Sequence, residues 1–127
     1  MWNLYLPIDS GNQLKWMASE LDEAERSGQN VHIIGHIPLD RSQCMASWTH
    51  NYVRILERYQ HIVTGQFFGH KHLDEFKLFY SQTDESKVIG VAYVGPSVTP
   101  YKLGPTEASP DANPGFRVYE MNENVRN

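Results

Sequence analysis

The chain has 127 residues, 40% hydrophobic and 20% charged, with a formal charge of −4 and a pI near 5.8. That is enough for one domain with its own core. The acidic balance and the scatter of the 11 lysines and arginines argue against a nucleic-acid binder, which needs a basic stripe, and no apolar run approaches the roughly 18 residues of a membrane span.

The first six residues are too short, and lack the basic start, for a secretory leader. Residues 4–8 read as a short strand with Pro7 near its end. Ser10-Gly11-Asn12-Gln13 fits a capping box, the serine capping and Gln13 reaching back. Leu14, Met17, Ala18, Leu21 and Ala24 then recur at helical spacing, predicting an amphipathic helix over 11–27 that Gly28 ends. Val31-His32-Ile33-Ile34 is short, β-branched and apolar, as a buried strand is, which would make His32 a core histidine. Strand, helix, strand suggests a βαβ-like unit, whose chemistry belongs in the loops beyond the strand ends. The first such loop is Gly35-His36-Ile37-Pro38.

Residues 39–47 read as a loop. It holds Cys44, the only cysteine, which cannot close a disulfide within the chain. Its thiol is either small buried packing or half of a bridge to a partner outside this sequence. No Asn-x-Ser/Thr sequon is present. A second helix is predicted over 48–60, with Tyr52, Ile55, Leu56 and Tyr59 as its core face. His50 lies on it, either at the surface or lining a substrate cleft. Strands follow over 62–68, 76–80 and 88–94. Residues 95–115, rich in proline and glycine, read as a long loop, and 116–121 alternate like a last strand.

The centre of interest is Gln66-Phe67-Phe68-Gly69-His70-Lys71-His72-Leu73-Asp74-Glu75-Phe76. Gly69 would let the backbone bend sharply after the strand. In an extended segment residues i and i+2 share a side, so His70 and His72 would face one place and Lys71 the other. Two strands end alike, Ile34-Gly35-His36 and Phe68-Gly69-His70. If both lie in one sheet, His36, His70 and His72 leave the same edge and three imidazoles can converge on a metal. Asp74 and Glu75 are either acceptors that orient a ligand histidine or a solvated pair. Tyr101 and Trp48 could offer an aromatic face to a choline or a nucleobase.

Gly-His-x-Pro followed, after a helix and a strand, by Gly-His-x-His resembles the second half of the calcineurin-like metallophosphoesterases. Within them the chain is most similar to the acid sphingomyelinase branch. The likeness takes in Val31 to Pro38, Trp48, Asn51-Tyr52, Arg54-Ile55, Gln66 to Phe76, Pro96-Ser97-Val98-Thr99-Pro100 and Asn113-Pro114-Gly115-Phe116-Arg117-Val118-Tyr119. It implies an α/β fold, the C-terminal portion of a metallophosphoesterase β-sandwich flanked by helices. Residues 1–127 would be a partial catalytic domain whose N-terminal metal-ligand half is absent. By the same resemblance His36 and His70 are ligands of one Zn2+ and His72 of a second, two per complete site. No other catalytic group falls in this segment, and Cys44 pairs with an upstream cysteine.

The activity implied is hydrolysis of a phosphodiester by two-metal hydroxide attack, with sphingomyelin, at a membrane surface, giving ceramide and phosphocholine. The alternatives are a sphingomyelinase-like nucleotide phosphodiesterase, and a catalytically inactive fragment or binding module. A secreted or lysosomal location is implied too. His50 and Tyr101 are the candidate substrate contacts. The chain departs from the pattern in having no Asp-x-His and no Gly-Asn-His, since Gly11-Asn12 runs into Gln13. The chain alone is therefore expected to be inactive, its remaining ligands lying upstream. Lys71 stands where the family more often has threonine, and the loop over 102–112 is longer than the resemblance leads one to expect.

Overall fold

The computed structural model describes residues 8–40 and 43–121, so most of the strand expected over 4–8 lies outside the described residues. The first helix, α1 (Gln13–Arg26), buries Leu14, Leu21 and Ala24 at the predicted spacing. Its start differs from the expected capping box. Gly11 and Asn12 both take left-handed backbone, with φ of 72° and 56°. This turn brings Asp9 back over the helix, where its two carboxylate oxygens accept from the backbone N–H groups of Leu14 (2.9 Å) and Lys15 (3.0 Å). A charged acceptor satisfies two of the free donors and opposes the helix dipole better than a serine hydroxyl could.

The strand β1 (Val31–Ile34) follows, then α2 (Ala46–Arg58), which starts two residues earlier than predicted, and β2 (Val63–Phe68). β3 (Glu75–Tyr80) and β4 (Val88–Val94) complete a four-stranded sheet in the order β1-β2-β4-β3. β1, β2 and β4 run parallel, and β3 is antiparallel on the edge. The chain is thus mixed α/β, with a small sheet and two helices.

Both helices lie on one face of the sheet. Leu14 of α1 and Tyr52 and Leu56 of α2 pack with Phe79, Ile89 and Ala92, and a second cluster joins Leu21 and Ala24 to Ile62. The opposite face holds Ile34, Phe67, Tyr93, Phe76, Leu78 and Tyr80. His32 also sits there, exposed, edge-on to Phe67 at 5.5 Å, and is not the core histidine expected. The periodicity located the strand correctly, but among the described residues no helix lies over that second face.

The predicted last strand over 116–121 does not form. Pairing in this region falls instead to β5 (Tyr101–Lys102) and β6 (Asp111–Ala112), a two-stranded ribbon inside the expected loop. Arg117 and Tyr119 lie against the sheet through their side chains. The Tyr119 ring is 4.9 Å from Phe67, and the Arg117 guanidinium sits over Tyr93 and Tyr119 at 5.9 Å and 5.8 Å.

Candidate metal centre

Parallel pairing of β1 with β2 places Ile34 beside Phe67. The two strands therefore release their Gly-His tips at the same edge. Backbone bonds carry the alignment past the strands: Gly35 N–H donates to Phe67 O at 3.0 Å, and Gly69 N–H to His36 O at 2.9 Å. A Cβ at Gly35 would lie 2.8 Å from the Phe68 ring, so a larger residue there would have to displace that ring.

At this edge His36 Nε2 and His70 Nδ1 come within 3.3 Å, the rings edge to face with centroids 5.1 Å apart. That separation is within hydrogen-bond reach, with the tautomer deciding which ring donates. It matches the roughly 3.3 Å between two nitrogens bound about 2.0–2.1 Å from one tetrahedral zinc. The two imidazoles thus have ligand spacing.

His72 does not follow by the alternation expected of an extended segment. His70 and His72 have φ of 71° and 61°, so the sharp bend falls on the histidines and Gly69 needs no positive φ. His72 turns to Tyr101, whose ring lies edge-on at 4.2 Å. Its Nδ1 is buried without a hydrogen-bond partner among the described residues. A buried nitrogen in that state has lost its water and gained nothing in return. Among the described residues no three His, Cys, Asp or Glu side chains form a group that could hold a metal ion, so the expected convergence of His36, His70 and His72 is not found: the left-handed turns at His70 and His72 break the alternation that would have aligned them.

The other candidates take varied places. Tyr101 is exposed and touches His72. His50 is exposed on α2; its backbone carbonyl accepts from Gln82 Nε2 at 2.8 Å, and no contact joins it to the imidazole pair. Asp74 forms an ion pair with Arg117. Glu75 opens β3, half-buried. Cys44 is a free, half-buried thiol 4.0 Å from Pro38 O. Trp48 stacks on Tyr52 at 5.4 Å and belongs to the helix-side packing.

Asp40 escaped the sequence reading altogether. Its carboxylate accepts from Lys71 Nζ at 2.5 Å and has Lys77 Nζ 3.6 Å away. Hydrogen bonding to Asp40 holds the Lys71 ammonium above the usual lysine range. No local signal marks an aspartate as the partner of a lysine on another loop; only the sheet register brings the two together.

No protein-family model matches the chain. Against curated proteins it is 46% identical to a sphingomyelin phosphodiesterase of Bos taurus and 44% identical to that of Homo sapiens, each over 97% of this chain. It is 34% identical, over 94% of its length, to the acid sphingomyelinase-like phosphodiesterase 3b of Mus musculus. The matches cover 18%, 18% and 27% of those relatives, so the chain spans about a fifth to a quarter of their length.

Proposed function

From the premise that the chain is homologous to the sphingomyelin phosphodiesterases over nearly all its residues, we propose that it is the C-terminal part of the catalytic domain of a zinc-dependent phosphodiesterase. The whole enzyme would cleave sphingomyelin to ceramide and phosphocholine. The observation that carries this reading is the 3.3 Å separation of His36 Nε2 and His70 Nδ1 at the tips of two parallel strands.

His36 and His70 would hold one Zn2+ and His72, through its bare ring nitrogen, a second. A bound pair of metals lowers the pKa of water and neutralises charge on the phosphoryl oxygens. The contribution of this chain is to present neutral imidazoles in fixed positions. Because protons compete for the same nitrogens, zinc retention weakens as the pH falls. The carboxylates that such a site needs would come from the portion of the domain before this one, in a metallophosphoesterase sandwich. Tyr101, exposed beside His72, would meet a choline-bearing headgroup through its aromatic face. A secreted or lysosomal enzyme acting at a membrane surface goes with the same reading. No helix among the described residues is long and apolar enough to cross a membrane.

The test uses the longer protein carrying this chain, assayed with zinc on sphingomyelin vesicles and, in parallel, on a nucleoside triphosphate. Hydrolysis of sphingomyelin, abolished by His36→Ala or His70→Ala, is the expected result. Preference for the nucleotide would shift the substrate assignment, and zinc-independent turnover would overturn the mechanism. The 127-residue chain alone should show no hydrolysis, since among the described residues no three His, Cys, Asp or Glu side chains form a group that could hold a metal ion.

A further inference from the structure

Two loops carry the histidines, and they are tied together at two points. One is the backbone bond from Gly69 N–H to His36 O. The other is the Lys71–Asp40 ion pair at 2.5 Å, joining the residue between the two histidines of the second loop to the loop that holds His36. The His36–His70 contact lies alongside these ties. Lys77, from β3, reaches the same Asp40 oxygen at 3.6 Å and adds a third element. The lysine side chains are 27% exposed and that of Asp40 18%, so the group is partly shielded from water, unlike a freely solvated surface pair.

The backbone gives this tie something to hold. His70 and His72 both occupy left-handed conformations that residues with a Cβ avoid. Such conformations persist where the surroundings over-determine them. Lys71 sits between them, anchored at its backbone by a 2.8 Å bond to Gly69 O and at its side chain by Asp40. We infer that the Lys71–Asp40 ion pair, braced by Lys77, is a positioning device. It fixes the loop bearing His70 and His72 against the loop bearing His36, and so sets the spacing of the ring nitrogens. The inference rests on the reading of these histidines as metal ligands. On that reading Lys71 and Asp40 are positioning residues that act through the histidines.

The experiment compares Lys71→Met, Asp40→Asn, the double variant and Lys71→Arg in the longer protein. One measurement is zinc affinity, by competition with a chromogenic chelator. The other is the through-space NMR contact between the His36 and His70 rings in zinc-free, histidine-labelled protein. Each neutral variant should weaken zinc binding by roughly tenfold or more, as loss of a group supporting a metal ligand does. The double variant should be no worse than the poorer single, because both remove one interaction. Lys71→Arg should restore most of the affinity and keep the ring contact. Unchanged zinc affinity in the singles, or losses that add in full, would overturn the proposal. If the unaltered protein binds no zinc, the ligand reading fails by itself. The ring contact then decides: loss in Lys71→Met with retention in Lys71→Arg supports the device, and no change refutes it.

Discussion

Tyr52 and Gln66 show what a single polar pair does beneath the site. Tyr52 O–H donates to Gln66 Oε1 at 2.7 Å, and Gln66 Nε2 donates to Val91 O at 3.4 Å. Gln66 is fully buried, and burial pushes the Tyr52 phenol well up, so the hydroxyl stays a donor at any working pH. Tyr52→Phe keeps the ring packing and leaves the Gln66 oxygen buried with no donor. An unsatisfied buried acceptor costs about 1–3 kcal/mol, read as reduced amide-exchange protection across β2 and β4 in the longer protein; unchanged protection would show that water replaces the hydroxyl. At this scale the histidines were legible because Gly-His tips on two apolar runs are a sequence pattern. Their backbone was not. The alternation rule assumes an extended segment, and the left-handed turns at His70 and His72 depend on contacts with another loop.

The elements are pinned to one another by charge as well as by the core. Near the C-terminal end of α1, Glu25 accepts both guanidinium nitrogens of Arg58 at 2.8 Å, and His61 Nε2 lies 2.8 Å from the same carboxylate. The bond to Arg58 holds the Glu25 carboxyl below its ordinary value of 4.5. A lowered folded pKa means that the unfolded chain binds more protons, so this contribution is fully present above pH 4.5 and is lost as the pH falls through the lowered value. The melting temperature of the unaltered protein should therefore fall more steeply than that of Glu25→Gln below that pH; parallel curves would show that the tie is solvated out. A second prediction concerns the helix start. Asp9→Ala removes acceptors from Leu14 and Lys15 and should destabilise α1 by about 1 kcal/mol, read as faster amide exchange in its first turn; unchanged exchange there would show that solvent replaces the cap. Helices and strands were legible here because apolar spacing records them. The cap was not, because Gly11 and Asn12 had to turn left-handed before Asp9 could reach. The strand over 116–121 failed for a related reason: alternation shows that a segment can face two ways, not that an edge is free to pair with it.

At the scale of the whole molecule, helices among the described residues cover the sheet on one side only. Parallel strands are ordinarily covered on both faces. Here α1 and α2 cover one, and on the other Ile34 is 82% exposed, Phe76 62%, Tyr80 46% and Leu78 43%. Arg117 and Tyr119 shelter only the patch around Phe67 and Tyr93. Among the described residues β1 pairs with β2 alone, so its other edge leaves strand donors and acceptors without a sheet partner. A naked apolar face beside an open edge favours association with whatever else can cover it. The chain spans only 18% of the length of the first two relatives. If the rest of the same catalytic domain covers this face, the 127-residue chain alone should self-associate and bind a dye that lights up on apolar surface. The longer protein should do neither through these residues. Substituting Phe76 and Leu78 by lysine separates the causes: it should keep the isolated chain monomeric yet destabilise the longer protein, where the same positions would lie in a packed interface. An isolated chain that sediments as a monomer at all concentrations and melts in one sharp step, or a longer protein indifferent to both lysines, would mean that this face was built for water.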